Sequence, residues 1–211
     1  ELGIEEAKKA GKLIKEYDVD IGSAFTSFLS RAIDTLNILL HELSKSYLIV
    51  NKTWYLNERH YGSLTGQNKK KTKQEIGEIL FLKYRRSWDK APPPIKKNDK
   101  NISLYGSLNK NIPANNLPST ESLKDTFDRV INYYNSTIIN HLSDNKAVII
   151  AAHGNSLRAL CKYLFKISNE EINTLEIPTG NPMIIDLSAD LKIDNALYLD
   201  KTRSENIINF D

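Results

Sequence analysis

A single cysteine, Cys161, stands among the 211 residues, which excludes an internal disulfide and points to a reducing compartment. No apolar run approaches the roughly 20 residues that a membrane-spanning helix needs. No signal peptide is recognisable either, so the expectation is a cytoplasmic protein with no membrane partner. An excess of one charge is also missing. Lysine and arginine total 29 against 26 acidic residues, a formal net charge of +3. That balance argues against a nucleic-acid binder but allows a local cationic pit for a small anion. The run "KKKTK" at 69–73 is short and has no interleaved aromatics. There is no glycine-rich phosphate loop and no dinucleotide fingerprint. The four histidines (His41, His60, His141, His153) show no ligand spacing, so no metal is expected. Ser156 follows "HGN", which is not a nucleophile-elbow context.

What is present is ordinary globular composition, 40% apolar and 26% charged, in a chain long enough to bury a core. The first residues, "ELGIEEAKKAGKL", lack Met and are already in helical rhythm, like the middle of a domain. Ile4, Ala7, Gly11 and Ile14 form one helical stripe. "DIGSAFTS" reads as a strand turning at Thr26-Ser27, and "SRAIDTLNILLHEL" as a helix. "YLIVNKTWYL" reads as strand, leading into the polar cluster "NERHYG". The Lys-rich stretch opens a helix expected to run to about Trp88. Pro and Asn dominate Asp89 to Ser119, predicting one long loop. A helix through Phe127, Val130, Tyr134, Ile138 and Leu142 follows, and then "AVIIAA", a strand buried on both faces. Beyond the helix from Gly154 to Leu164, Ser168 and Glu171 make a capping box for a further helix. Strands are expected near "PMIIDL" and "ALYLD". Strands alternating with helices predict an α/β domain over 1–211, a three-layer α/β/α arrangement around a mostly parallel sheet.

Ligands of open α/β sheets bind beyond the carboxyl ends of the strands. His153 sits at such an end, in "VIIAAHGNSLRAL". Gly154 allows close backbone approach, and the amides around Asn155 can hold an anion at the helix start. A histidine merely hydrogen-bonded to a strand-edge carbonyl fits the same stretch. Arg31 occupies a second strand-to-helix junction, where a solvated surface arginine is the alternative. In "LNERHYG", Glu58 suits a general acid/base if its environment allows, or an ion pair with Arg59. Arg85 and Arg86, about 100° apart on a helix, offer forks for carboxylate or phosphate.

The words "TSFLSRAIDTL", "LNERHYGSLTGQNK", "YRRSWDKAPPP", "TESLKDTFDRV", "IIAAHGNSLRAL" and "EIPTGNP", spread over almost the whole chain, resemble cofactor-dependent phosphoglycerate mutase of the histidine phosphatase superfamily. The resemblance implies the phosphoglycerate mutase-like fold and the glycolytic and gluconeogenic interconversion of 3- and 2-phosphoglycerate. The mechanism it implies runs through a phosphohistidine primed by 2,3-bisphosphoglycerate. It implies that His153 stabilises the transferring phosphoryl group and that Glu58 exchanges the proton of the substrate hydroxyl. Arg31 would contact the phosphoryl group. Arg59, Tyr61, Lys69, Arg85 and Arg86 would grip a small phosphorylated acid, with Gly154 and Asn155 adding polar contacts. His60 belongs to the binding stretch without an assigned chemistry. A homo-oligomer, dimer or tetramer, is implied by the family alone.

The family's phosphorylated histidine lies in an Arg-His-Gly motif, and that tripeptide occurs nowhere in this sequence. The resemblance implies a first strand and motif-bearing loop ahead of Glu1; without them the chain could not form the phosphoenzyme. The 89–119 loop lacks the family's Pro-Gly-His stretch, and the basic tail is short or missing after "NIINFD". Two alternatives follow: a bisphosphoglycerate synthase or phosphatase of the same fold, and a catalytically inactive anion-binding relative.

Overall fold

The computed structural model describes residues 2–142 and 146–203. Its order is α1 (Leu2–Tyr17), β1 (Ile21–Thr26), α2 (Ser30–Glu42), β2 (Val50–Lys52), α3 (Lys69–Ile76), α4 (Glu78–Arg86) and α5 (Ile102–Leu108). Then come α6 (Leu123–Ser136), β3 (Ala147–Ala151), α7 (Gly154–Leu164), β4 (Met183–Leu187) and β5 (Ile193–Tyr198). Strands β2, β1 and β3 form a wholly parallel sheet with β1 in the middle, and β4 pairs with β5 antiparallel.

Alternation along the strands builds the layers. Ala147 and Ile149 of β3 pack with Ala10, Ile14 and Leu39 of α1 and α2. Val148 and Ile150 face the other way, into the cluster of Val130, Ile131 and Tyr134 on α6 and Ala159 and Leu160 on α7. In β1, Ala24 meets Leu36 and Leu40 of α2, while Phe25 enters the α6–α7 side. Helices therefore cover both faces of the parallel sheet. Phe25 and Leu36 are fully buried, worth about 1.5–3 kcal/mol each. The α1 stripe is as expected at Ala7, Gly11 and Ile14, joined by Ala10, but Ile4 stays exposed. Gly11 is required by close approach, because a Cβ there would lie 2.6 Å from Glu42 Cβ on α2.

Several local expectations are corrected. Only Val50–Lys52 of "YLIVNKTWYL" is strand; Thr53 then accepts from the Tyr55 amide and caps a 3-10 turn at Trp54–Leu56. The Lys-rich helix is two helices, because Gly77 at φ 80° breaks the backbone between them. The 89–119 segment holds α5 and a 3-10 turn at Ala114–Asn116. α6 ends at Ser136, and a separate 3-10 turn spans Ile138–His141. β3 is half-buried except at Ala151, since among the described residues it has a strand partner, β1, along one edge only. Both bonds of the Ser168–Glu171 capping box form, yet they start a 3-10 turn at Glu171–Asn173. The "NIINFD" stretch, on which the expectation about the tail rests, lies outside the described residues. Among those residues no helix is long and apolar enough to cross a membrane.

Candidate active site

The three parallel strands end level: Thr26 is in register with Lys52 and with Ala151. Its hydroxyl donates to the Ala151 carbonyl at 2.7 Å. The segments that follow the three strands are therefore delivered to one crevice. Residues 27–31 lead into α2, 53–61 make an irregular loop, and 152–156 lead into α7.

His153 is the N-cap of α7, in extended backbone (φ −119°, ψ 159°), and its side chain does not cap the helix. Its Nδ1 accepts from Arg31 Nε at 3.0 Å, and its Nε2 lies 2.8 Å from Ser27 Oγ. A guanidinium only donates, so these partners assign the proton to Nε2, which donates to Ser27 Oγ. That oxygen also accepts from the Leu29 amide at 3.1 Å. Burial pushes His153 down to about 4; the Glu58 carboxylate opposes this, and the Arg31 and Arg129 guanidinium groups add to it. The imidazole is neutral at ordinary pH, as the tautomer requires.

Glu58 Oε1 accepts from Asn155 Nδ2 at 2.9 Å and from the Arg59 amide at 2.8 Å. Its other oxygen faces Arg31 Nη2 at 3.9 Å. Asn155 Nδ2 also donates to the Tyr61 hydroxyl at 2.9 Å, and its Oδ1 accepts from Arg158 Nη1 at 3.0 Å. The Tyr61 ring carries the Arg59 guanidinium, with Cζ 4.6 Å from the ring centroid. Arg59 is 2% exposed. Its Nη2 donates to the Tyr84 carbonyl at 2.6 Å, while Nε and Nη1 have no partner. Buried guanidinium donors without acceptors cost about 1–3 kcal/mol or more, and an anion is the chemistry that satisfies them. The start of α7 adds room for it, because a Cβ on Gly154 would meet nothing within 4 Å.

The structure thus brings together Arg31, Glu58, Arg59, Tyr61, Asn155 and His153. Arg86 joins through its backbone, since its carbonyl lies 3.5 Å from Arg158 Nη2, but its guanidinium pairs with Glu176. Arg85 rests its guanidinium over Phe81. Lys69 is exposed at the start of α3 and forms no link to this group.

His60 departs from expectation most clearly. Its Nδ1 is 2.7 Å from Glu121 Oε2 and its Nε2 is 2.9 Å from Asn109 Oδ1, so protein groups occupy both ring nitrogens. Arg129 clamps Glu121 through Nε (2.6 Å) and Nη2 (2.9 Å). Burial alone would raise the Glu121 carboxyl, but Arg129 and His60 outweigh it and hold the group well below the usual carboxylate range. The same Arg129 donates to the Tyr55 and Asn57 carbonyls, which fixes the loop that carries Glu58. Sequence reasoning missed Ser27, Arg158, Glu121 and Arg129. Ser27 was visible only as a turn residue, and the others are helix-face or loop positions whose partners lie far along the chain.

The fold and this crevice define an α/β protein with a candidate anion-binding site at the strand ends. The chain belongs to the histidine phosphatase superfamily (branch 1), whose family model matches residues 1–192. A 2,3-bisphosphoglycerate-dependent phosphoglycerate mutase of Pelagibacter ubique is 47% identical over 205 residues, covering 97% of this chain and 86% of that protein. The enzyme of the same name from Borreliella burgdorferi is 48% identical over 197 residues, covering 93% and 79%. In fold, the chain is similar to a phosphoglycerate mutase structure from Bacillus anthracis, with TM-score 0.55 and 18% identity over 79% of this chain and 68% of that one.

Proposed function

We propose that the protein interconverts 3-phosphoglycerate and 2-phosphoglycerate as a 2,3-bisphosphoglycerate-dependent phosphoglycerate mutase. The observation that carries this reading is the linkage of His153, Arg31 and Glu58 at the strand ends, beside the buried open donors of Arg59. The two relatives of that name support it. In this reading Glu58 exchanges the proton of the substrate hydroxyl. Its Oε1 is tied to Asn155 and the Arg59 amide, so Oε2 is the oxygen that takes and returns the proton. His153, neutral and locked by Arg31 and Ser27, stands beside the phosphoryl group, and Arg31 supplies positive charge there. Arg59 and the backbone amide of Asn155 hold the carboxylate or phosphate of the substrate, with Tyr61 supporting Arg59, Gly154 leaving room, and Arg85 and Arg86 lining the flank.

The primer 2,3-bisphosphoglycerate, which supplies the phosphoryl group that loads a nucleophilic histidine, suits the same donors: Arg59 Nε and Nη1 and the start of α7. The nucleophile belongs to the family's Arg-His-Gly motif, which residues 1–211 do not contain. In this reading these residues supply proton transfer and anion holding. A cytoplasmic location, a single domain and a homo-oligomer complete the proposal.

The test is an interconversion assay of the full-length protein with and without 2,3-bisphosphoglycerate. Turnover that depends on the primer is expected; no turnover under either condition would overturn the reading. The missing motif favours a second reading for residues 1–211 by themselves, phosphoglycerate binding without catalysis. Transfer of labelled phosphate from bisphosphoglycerate to a protein of these residues alone would exclude it.

A further inference from the structure

We infer that Arg158 is a positioning residue for the proposed reaction, acting through Asn155 to hold the two side chains that flank the substrate, Glu58 and Tyr61. The inference rests on the mutase reading for its functional consequence and on hydrogen-bond geometry for its structural one. Asn155 and Arg158 are three residues apart on α7 and so share one face. Arg158 Nη1 donates to Asn155 Oδ1 at 3.0 Å. Both hydrogens on Asn155 Nδ2 are thereby turned towards acceptors, Glu58 Oε1 and the Tyr61 hydroxyl, each at 2.9 Å. A flipped amide would set Oδ1 against the Glu58 carboxylate and the NH2 group against a guanidinium that cannot accept. Arg158 therefore excludes the wrong orientation.

The placement of Arg158 is costly in itself, which is why a role is called for. It is 4% exposed, and its acceptors are all neutral oxygens: Asn155 Oδ1, the Ile172 carbonyl and the Arg86 carbonyl. Nε has no partner, and among the described residues no carboxylate lies within ion-pairing distance. Burial, then the neighbouring Arg86 and Arg59 guanidinium groups, push it down to about 10. The Glu58 carboxylate opposes this without pairing directly, and a buried cation without a direct ion pair is a poor stabiliser of a fold. It is a suitable device for holding an amide rigidly beside a doubly anionic substrate.

The experiment measures two quantities on the full-length protein and its Arg158→Met variant. One is the solvent exchange of the Asn155 side-chain amide protons by NMR, with the resonance identified by its loss in Asn155→Ala. The other is the dissociation constant of 3-phosphoglycerate, also measured for Arg158→Met in the Asn155→Ala background. The expected results are at least tenfold faster exchange, at least tenfold weaker binding, and less than twofold further weakening once Asn155 is already alanine. Unchanged exchange, or equal weakening with and without Asn155, would overturn the inference. If Arg158→Met does not fold, Arg158→Lys, which keeps the charge but loses the fork, is read on the same quantities with smaller changes in the same direction. A wild-type protein that binds no phosphoglycerate would defeat the mutase reading alone, because amide exchange still decides whether Arg158 positions Asn155.

Discussion

His153 and His60 each sit among a carboxylate, an arginine and an asparagine, and the two groups do opposite things. Around His60, Glu121, Arg129 and Asn109 are all buried, and ring, carboxylate and guanidinium face one another. Around His153, the Arg31 side chain is 65% exposed and that of Glu58 23%, and the neighbouring Arg59 has two buried nitrogens without partners. The same residue types make a scaffold where every member is buried, and a candidate ligand site where Arg31 and Glu58 keep exposed surface. The two groups are also joined, because Arg129 grips the carbonyls of the loop that presents Glu58.

The comparison breaks most severely at Glu121. Glu121→Ala leaves Arg129 buried without its anion, at an expected cost of about 3–5 kcal/mol of stability, measured by urea unfolding. A loss below about 1 kcal/mol would mean the closed group is no scaffold.

Acid should then separate the groups. His153 is held below its unfolded value, so the unfolded chain takes the proton first. Stability contributed by the neutral ring is full above about 6.5 and is lost as pH falls towards about 4, by up to about 3 kcal/mol. His153→Gln should flatten that limb of a stability–pH curve. Glu121 is also depressed, so its contribution is present above about 4.5 and lost below, and that lower limb should survive in His153→Gln. A variant curve that parallels wild type between 6.5 and 4 would contradict the burial of the ring.

The two arginines give a smaller contrast. Arg59→Met removes two unpartnered donors together with the Nη2 bond to the Tyr84 carbonyl, so stability should change by no more than about 1.5 kcal/mol, while phosphoglycerate affinity should fall by about 1.5–3 kcal/mol, the worth of a charged hydrogen bond. Arg129→Met should do the reverse. The smallest effect is expected at exposed Lys69: Lys69→Ala should alter stability by no more than about 0.5 kcal/mol and leave phosphoglycerate affinity within the error of titration. A tenfold loss of affinity would require α3 to reach the site when ligand binds.

What the sequence made legible follows from which signals are local. His153 at the end of an apolar run and Arg31 past a strand are junction signals, and register then brings them together. The parallel sheet and its covering helices follow from periodicity. The break at Gly77 was written in the sequence, yet a lone glycine in a helical pattern is compatible with continuity until its backbone is seen at φ 80°. Open and closed histidines cannot be told apart by type, because Glu121, Asn109 and Arg129 come from distant segments. "ERHYG" places His60 beside two site residues, although its ring meets Glu121 and Asn109 instead. Arg158 looked like any arginine on an amphipathic helix, and only its buried carbonyl acceptors distinguish it.

The central claim is that the open group performs proton transfer on a bound phosphoglycerate, and Glu58→Gln in the full-length protein tests it most directly. The amide keeps the shape of the carboxylate and removes its basicity. Turnover should fall by about 10²–10⁴-fold, with 3-phosphoglycerate affinity and thermal midpoint close to wild type. Turnover within a few-fold of wild type would contradict the account.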